Sequence, residues 1–573
     1  MKHILITAVT SAFILTSCGK ATNKHAEIID ENRVEAIHID HRAIWVDSIY
    51  NTMSLKEKVG QLFMVATYSN RTDAHTDTIE KLITDHHIGG LIFFQGGPVR
   101  QANMTNHFQS KSKVPLLIGF DGEWGLNMRL DSTARYPFNM TLGAIKDNHI
   151  INKIGRQIGE DCHRIGIHIN FAPAVDINTN SANPVIGVRS FGEDKFNVTE
   201  KAIAFTEGMQ STGTLACAKH FPGHGDTHTD SHKTLPTVSF NEARMDSVEL
   251  YPYKKLIRKN IAGVMVAHLN VPSLESQDNL PSSLSYAIIT TLLKEKLEFE
   301  NLIFTDALNM KGAANYKQPG DIDLAAFKAG NDVLLFTENA PKGILKIVEA
   351  YNNNEITEER LSHSVKKILS AKFDVGLNDY SPIVTDGLWE NLNKKVNAEL
   401  YEEAIASAIT LIKNENEMMP LSNDKKENIA FLKLGNGSAD NFLKALKENG
   451  NVTDLSHLSN QKLLEELKKY DRVIIGYHRQ NARLTNAVSN ADKKMIENIS
   501  QNNKTILAVF ASQYSLKETN LEAVESILIS YENSDVANKI SADIIFGEAE
   551  PKGSLPASIS KSFPVNSSIS FMK

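Results

Sequence analysis

Four histidines recur at every fourth position in the stretch AKHFPGHGDTHTDSHKTLP, where they are His220, His224, His228 and His232. Imidazole gains or loses a proton near neutral pH, and a neutral ring nitrogen is also a common metal ligand. The types and spacing of these residues therefore suit either a metal site or acid–base chemistry on a bound substrate.

A metal stripe at this spacing requires a helix, because only there do residues i and i+4 share one face. Pro222, Gly223 and Gly225 break the first turn, and the segment leaves a strand-like run, so the sequence predicts a long loop. The segment also lacks the short ligand pairs typical of zinc sites. We therefore predict that these histidines bind no metal.

The triplet Asp230-Ser231-His232 favours the acid–base interpretation. An aspartate two residues before a histidine can accept one ring N–H, fix the tautomer and leave the other nitrogen free to exchange a proton. Asp–His pairs also pin loops without reacting. His224, which lies between Gly223 and Gly225, is predicted to fold the loop in this way.

Eight short apolar runs in the first part of the chain are continuous, as expected of parallel strands buried on both faces. The chain between them leaves room for crossover helices, so we predict a (β/α)₈ TIM-like barrel. The runs are LFMVA (62–66), GLIFF (90–94), PLLIGF (115–120), INFAPAV (169–175), LACAKH (215–220), AGVMVAH (262–268), NLIFT (301–305) and DVLLF (332–336).

Ionisable residues lie at or just past the carboxyl ends of five of these runs, the edge at which such barrels carry active sites. Polar loop starts and helix caps would explain single members of this set but not the whole collection. The residues are Asp121, Asp176, Lys219, His220, His268 and Asp306.

The pattern changes after the barrel, which we assign to residues 41–375, with a linker at 376–400. In residues 401–573, strand-like runs alternate with helical segments, which predicts a smaller α/β sandwich domain with a largely parallel sheet. Its predicted strands are NIAFLKL (428–434), RVIIGY (472–477), KTILAVF (504–510) and ESILISY (525–531).

The N-terminus has a basic start and an apolar run that is too short for an ordinary spanning helix. LTSC, which ends at Cys18, resembles a bacterial lipobox, so we predict a lipoprotein signal at 1–18 and a polar tether at 19–40. This implies a lipid-anchored envelope protein that faces the periplasm. A simple cleaved signal, in which Cys18 is incidental, is the alternative.

Composition excludes some partners and leaves others open. The 61 Lys+Arg are nearly balanced by 68 Asp+Glu without long single-sign blocks, so nothing favours nucleic acid. Cys162 and Cys217 lie in or beside apolar runs, and we expect them to be buried free thiols. The oligomeric state is not determined by the sequence.

The stretch KHFPGHGDTHTDSHKTLP resembles the signature of the β-N-acetylhexosaminidases in glycoside hydrolase family 3. Other motifs of the family have counterparts, and the likeness covers roughly residues 50 to 375 and, more faintly, the second domain. These counterparts are GFDGEWGLNMRL, NFAPAVDI, NPVIGVRSFG, FTDALNMKGA and KAGNDVLLF, followed by AITLIKNENEMMPL and IIFGEAEPKGSLPASI.

The resemblance implies a role for each matching residue. Asp306 takes the place of the catalytic nucleophile, and His232 with Asp230 takes the place of the acid/base dyad on a mobile loop. The positions that bind the sugar are matched by Asp121, Arg129, Arg189, Lys219 and His220. No metal or organic cofactor is implied. Trp124 replaces a family glycine and either stacks on a sugar or packs in the interior.

These observations predict a retaining exo-acting β-N-acetylglucosaminidase that cleaves terminal GlcNAc from peptidoglycan fragments or related glycans. The alternatives are a family 3 β-glucosidase or β-xylosidase, whose acid/base would be a Glu of the second domain, and a glycan-binding lipoprotein without activity. Phosphorolysis stays open, since a His acid/base would not repel phosphate. A metal hydrolase built on the histidine loop would be sensitive to chelators.

Overall fold

The computed structural model describes residues 41–571. The predicted signal at 1–18, its Cys18 and the tether at 19–40 lie outside the described residues. Residues 41–52 form a helix, which is a separate unit from the rest of the chain. Among the described helices, none combines the length and the apolarity needed to cross a bilayer.

The first sheet has eight parallel strands, and each of the eight predicted runs overlaps one of them, so the barrel prediction is confirmed. Neighbours pair in the order β7-β6-β5-β4-β3-β2-β1-β8, and a parallel bridge between Phe304 and Val333 joins the two ends. The strands are β1 (Phe63–Thr67), β2 (Gly90–Phe93), β3 (Leu117–Phe120), β4 (Ile169–Asn170), β5 (Leu215–Phe221), β6 (Gly263–Val266), β7 (Leu302–Thr305) and β8 (Leu334–Leu335).

Helices surround the barrel and turn their apolar faces toward the strands, as continuous buried strands require. The principal helices are Leu55–Gly60, Asp73–His86, Pro98–Lys111, Asn148–Arg164, Lys195–Gln210, Tyr251–Arg258, Asp321–Ala329, Ala340–Asn352 and Glu358–Asp374, with a wide π-type helix at Ala287–Lys296. Cys162 and Cys217 are both buried and free, as expected.

The connection at 376–400 contains a short helix, Leu388–Leu392, and the start of the helix Lys395–Ala408, which leads into the second domain. The second sheet has the order β11-β10-β12-β13-β14-β9, and only the β14–β9 pair is antiparallel, which confirms the α/β domain. Its strands are β9 (Thr410–Asn414), β10 (Ile429–Leu434), β11 (Val452–Asp454), β12 (Arg472–His478), β13 (Thr505–Phe510) and β14 (Ser526–Ile529). Its other helices are Asp440–Asn449, Asn460–Leu467, Asn490–Ser500 and Asp535–Ile545.

The two domains are joined by buried polar contacts as well as by the chain. Glu532, directly after β14 in the second domain, receives hydrogen bonds from three barrel groups: Arg135 Nη2 at 2.7 Å, the Phe138 N–H at 2.8 Å and Thr141 Oγ1 at 3.0 Å. Because the Glu532 side chain is almost fully buried, these contacts hold the second domain against the barrel.

Candidate active site

A cleft of about 420 Å³ opens at the carboxyl-terminal ends of the barrel strands. It brings together all eight polar residues predicted for the site. It also includes two ionisable residues that were not predicted to bind substrate or react, His224 and Arg483. The ionisable residues that line it are Asp121, Arg129, Arg189, Lys219, His220, His224, Asp230, His232, Asp306 and Arg483.

One part of the cleft is a network of charges from the segments after β3 and β4 and from the end of β5. Lys219 Nζ lies 2.8 Å from Asp121 Oδ1 and 2.9 Å from Glu123 Oε1. Arg129 Nη2 lies 2.6 Å from Asp121 Oδ2, and Arg189 Nη2 lies 2.7 Å from Glu123 Oε1. Each of the three cations therefore has a carboxylate partner, and each carboxylate has two cations.

These cations determine the protonation of the two acids. Burial alone would raise the pKa of Asp121, but Lys219 and Arg129 hold it far below its usual range. Arg189 and Lys219 overcome burial in the same way at Glu123, whose pKa is also strongly lowered. Both groups are carboxylates at neutral pH, so the network offers charged acceptors and donors to sugar hydroxyls.

His220 has a defined tautomer in this network. Its Nδ1 lies 2.8 Å from Asp176 Oδ2, and its Nε2 lies 3.1 Å from Arg189 Nη2. Because guanidinium can only donate, Nε2 accepts and Nδ1–H donates to Asp176. The pairing of β5 with β6 shifts register between Ala218 and Phe221, and this irregularity encloses Lys219 and His220 at the strand end.

Asp306 follows β7 and faces the cleft. Its Oδ1 accepts a hydrogen bond of 2.8 Å from the N–H of Ala307. Burial would raise its pKa, but the nearby imidazoles of His268 and His220, this N–H and the charge of Lys219 lower it overall. Asp306 is therefore an ionised carboxylate at neutral pH, as a nucleophile must be.

The segment after β5 is a loop, as predicted, and the next helix begins only at Glu242. Buried His224 donates from Nδ1 to Thr227 Oγ1, 2.7 Å away, because the Thr227 hydroxyl itself donates to the His224 carbonyl. Burial lowers the pKa of His224 to about 4. Its neutral Nε2 therefore accepts from Ser231 Oγ at 3.1 Å.

The turn that contains His232 is held by Ser231, which is buried. The carbonyl of Ser231 accepts a hydrogen bond of 3.1 Å from the N–H of Gly312, just after the Asp306 segment. A Cβ at position 312 would lie only 3.0 Å from that carbonyl oxygen, so glycine permits the close approach. The loop and the Asp306 segment are thus in direct contact.

His232 projects from this turn into the open part of the cleft. Its Nδ1 lies 2.8 Å from Asp230 Oδ1, the same oxygen that accepts the His232 backbone N–H at 2.9 Å. The His232 side chain is 63% exposed, so Nε2 is accessible to a substrate. Asp230 can therefore orient the ring by accepting from Nδ1, while the exchange of a proton at Nε2 stays a prediction.

The four histidines at every fourth position therefore have separate surroundings. His220 belongs to the charge network, His224 is inside the loop, His228 Nδ1 lies 3.1 Å from Asn180 Nδ2, and His232 faces the cleft. Within residues 41–571, no group of three or more His, Cys, Asp or Glu side chains has the arrangement of a metal site.

Trp124 packs and does not stack on a sugar. It is almost fully buried and meets Phe138 edge to face, with ring centroids 5.0 Å apart. It belongs to a cluster that joins both domains, with Val188 from the barrel and Tyr514 from the second domain. Aromatic walls that do reach the cleft come from Phe94 and Phe336.

Sequence reasoning did not assign three residues of the site. Glu123 lies in the motif GFDGEWGLNMRL, but only the structure reveals that it contacts both Lys219 and Arg189. The signal available in the sequence was that Glu123 is an acidic residue two positions after Asp121, just past a predicted strand. Arg483 comes from a second-domain loop with no motif to mark it, and Ser231 was assigned no role within the triplet Asp230-Ser231-His232.

Both domains match models of a known protein family. Residues 54–371 match the model of the glycosyl hydrolase family 3 N terminal domain, and residues 409–568 match that of the family's C-terminal domain. Beta-hexosaminidase A of Pseudoalteromonas piscicida is 32% identical over 375 residues, which are 60% of this chain and 62% of that protein. The beta-N-acetylglucosaminidase/beta-glucosidase of Cellulomonas fimi is 28% identical over 70% of this chain and 72% of that protein.

Solved structures agree with this fold. The family 3 beta-N-acetylglucosaminidase of Paenibacillus sp. str. FPU-7 is 28% identical, with a TM-score of 0.72, over 89% of this chain and 99% of that one. The beta-glucoside phosphorylase BglX shares the fold with a TM-score of 0.78 at 22% identity, over 90% of this chain and 96% of that one. Since both family models match in order and the first spans more than half of the chain, this protein belongs to glycosyl hydrolase family 3.

Proposed function

We propose that this protein is a retaining exo-acting β-N-acetylglucosaminidase that hydrolyses terminal β-linked GlcNAc of peptidoglycan fragments or related glycans. The observation that carries the proposal is that ionised Asp306 and the Asp230–His232 pair line one cleft. Relatives named as beta-hexosaminidase and beta-N-acetylglucosaminidase support the choice of sugar.

In the first step, an Asp306 carboxylate oxygen attacks the anomeric carbon while His232 Nε2 protonates the departing glycosidic oxygen. In the second step, His232 takes a proton from water, whose oxygen displaces Asp306 from the sugar. Two inversions at the same carbon give net retention. Loss of its proton leaves His232 neutral, so no second negative charge develops near Asp306.

The buried charge network supports an exo mode of attack. Asp121, Arg129, Arg189 and Lys219 are available to bind the hydroxyls of one terminal sugar. The proton donor, in contrast, lies in the exposed part of the cleft. A sugar held by the network would place its leaving group toward the opening, where His232 can reach the scissile oxygen.

The β-glucosidase alternative would draw a Glu acid from the second domain. Among the described residues that line the cleft, the second domain supplies Arg483 and no carboxylate. The non-catalytic alternative is disfavoured because the nucleophile and the dyad are both present, with the hydrogen bonds that such roles require.

The decisive experiment compares release of nitrophenol from the β-GlcNAc, β-glucose and β-xylose derivatives, with EDTA present. We expect release that is selective for GlcNAc, insensitive to EDTA and lost in Asp306→Asn, with β-GlcNAc as the first anomer seen by NMR. Preference for glucose or xylose would contradict the proposal. Loss of release with EDTA would favour a metal hydrolase, and formation of GlcNAc 1-phosphate in phosphate buffer would favour phosphorolysis.

We further propose that lipidation of Cys18 anchors the enzyme to the bacterial envelope, facing the periplasm. The support is the LTSC sequence after a basic start and an apolar run. Mass spectrometry of the full chain from bacterial membranes tests this. A diacylglyceryl group on Cys18, absent in Cys18→Ser, is expected, whereas an unmodified Cys18 in the mature chain would overturn it.

A further inference from the structure

One cation of the cleft differs from the others because it comes from the second domain. Arg483 lies in the loop after β12 and lines the cleft together with the barrel residues. It is exposed at the rim, and its Cζ lies 5.1 Å from the ring centroid of Trp124. The second domain thus contributes one charged side chain to the substrate cavity.

Arg483 also differs from the barrel cations in having no carboxylate partner among residues 41–571. Arg129, Arg189 and Lys219 each contact an acid at 2.9 Å or less. For Arg483 only the backbone N–H is bonded, to Asn481 Oδ1 at 3.0 Å. Its five guanidinium N–H donors are therefore available for a ligand.

The charges around Arg483 leave a positive excess. Although Arg483 is exposed, the protein around its side chain partly desolvates it and lowers its pKa; the nearby cations Arg189, Arg129 and Arg135 lower it further, while Glu123 acts in the opposite direction. Glu123 is already shared by Arg189 and Lys219. An oxyanion at the rim would therefore relieve the repulsion among these cations.

The backbone of the loop that carries Arg483 is held by contacts on both sides. Buried Arg479 donates to the carbonyls of Leu484 at 3.1 Å and Asn486 at 2.9 Å, and to Tyr477 Oη at 2.8 Å. Ala482, next to Arg483, packs against the cluster around Trp124. A loop held from both sides keeps the backbone of Arg483 beside the cleft, so binding does not have to order the loop itself.

We propose that Arg483 binds an acidic group of the glycan at the rim of the cleft, so that the enzyme selects anionic substrates over neutral ones. This rests on the proposed glycosidase function and narrows its substrate class. A planar guanidinium fork suits a carboxylate or a phosphate ester, both of which it binds through paired hydrogen bonds. A saccharide in which the sugar after GlcNAc bears a carboxylate fits this chemistry, whereas neutral chitin fragments have no anionic group for Arg483 to bind.

The test uses one disaccharide in two charge states: GlcNAc linked β-1,4 to N-acetylmuramic acid with its free carboxylate, and the methyl ester of the same compound. For the full-length enzyme we expect kcat/KM to be about tenfold higher for the acid. Arg483→Gln should bring the ratio to within about twofold, and Arg483→Lys should retain part of it. Added salt should lower the ratio in the wild type.

Lys494→Gln is the matched control, because it removes one positive charge from an exposed position of the helix that follows the loop. It should keep the wild-type ratio. Equal hydrolysis of acid and ester by the wild type, or an unchanged ratio in Arg483→Gln, would overturn the inference. Arg483-dependent formation of GlcNAc 1-phosphate would instead assign the oxyanion to inorganic phosphate and overturn the glycan assignment. These outcomes can be distinguished from failure of the proposed glycosidase function, because in that case the wild type would not hydrolyse nitrophenyl β-GlcNAc at all.

Discussion

Ser231 Oγ donates a hydrogen bond of 3.1 Å to Nε2 of His224, so a buried, neutral histidine holds the turn that presents His232. The Ser231 carbonyl accepts from the Gly312 N–H on the opposite side. The two bonds connect the proposed acid/base to the interior of the loop and to the segment of the nucleophile. One small residue thus connects the turn of His232 to the segment that follows Asp306.

Ser231→Ala removes the first of these bonds and leaves the backbone bond intact. We expect kcat to fall roughly 10- to 100-fold, because a misplaced acid/base loses its alignment with the scissile oxygen. The measurement is steady-state kinetics with a series of leaving groups. The loss should be larger for poor leaving groups, which need protonation, than for dinitrophenol.

Surface Ser362, whose hydroxyl bonds only within its own helix, offers the matched control as Ser362→Ala. This variant should behave as the wild type with every leaving group. If Ser231→Ala lost activity equally for good and poor leaving groups, Ser231 would have only a structural role.

His232→Ala tests the acid/base directly. We expect kcat to fall about 10²- to 10⁴-fold on natural disaccharides, since the variant lacks the proposed proton donor for the leaving oxygen. Substrates with dinitrophenol should keep fast formation of the glycosyl-enzyme but lose fast hydrolysis, and azide should restore turnover by forming β-GlcNAc azide. His228→Ala, four residues earlier on the exposed side of the loop, serves for comparison. Full activity of His232→Ala on natural disaccharides would remove His232 from the mechanism.

The barrel was predictable because its strands are buried on both faces and therefore read as unbroken apolar runs, even where β4 and β8 have only two residues each. The site was predictable for the same reason, since Asp121 and Asp306 directly follow such runs. Parallel strands bring their carboxyl ends to one edge, so positions far apart in the chain meet there.

Other features depend on tertiary packing that leaves no local pattern. The strand β9 continues from a helix without a break in apolar character, and β11 has only three residues, so neither was predicted. Arg483 reaches the cleft because its loop packs on the cluster around Trp124, which no motif near it indicates. Trp124 itself was left open between stacking and packing, and interdomain burial decided the outcome.

Glu532→Gln tests whether the second domain is docked through its buried carboxylate. The change should lower the free energy of unfolding by about 2 kcal/mol, because three hydrogen bonds lose their charged acceptor. Thermal unfolding measures this, with Glu518→Gln as control, since Glu518 is largely exposed and its Lys493 partner is 3.6 Å away. A melting temperature equal to that of the control would contradict the docking role.

Lys219→Met removes the cation that Asp121 and Glu123 share. At neutral pH we expect the free energy of unfolding to fall by about 3 kcal/mol, because two buried carboxylates each lose a partner. Activity on nitrophenyl β-GlcNAc should fall with it. In the wild type the pKa values of both acids are lowered in the folded state, so the stability that they contribute is complete above the unfolded values near 4 and is lost as pH falls through the lowered values of the folded state.

The loss of unfolding free energy in Lys219→Met should also depend on pH, and this dependence separates loss of the charge from loss of packing. Denaturant unfolding at pH 7 and at pH 4 should show a smaller difference between variant and wild type at pH 4, because the two buried acids of the variant lack the shared cation and therefore take up protons at a higher pH than those of the wild type. Lys153→Met is the control, because Lys153 forms an exposed pair with Glu403 and should cost less than about 1 kcal/mol at either pH. A deficit of Lys219→Met that is independent of pH would mean that Lys219 stabilises the site through its packed side chain and not through its charge.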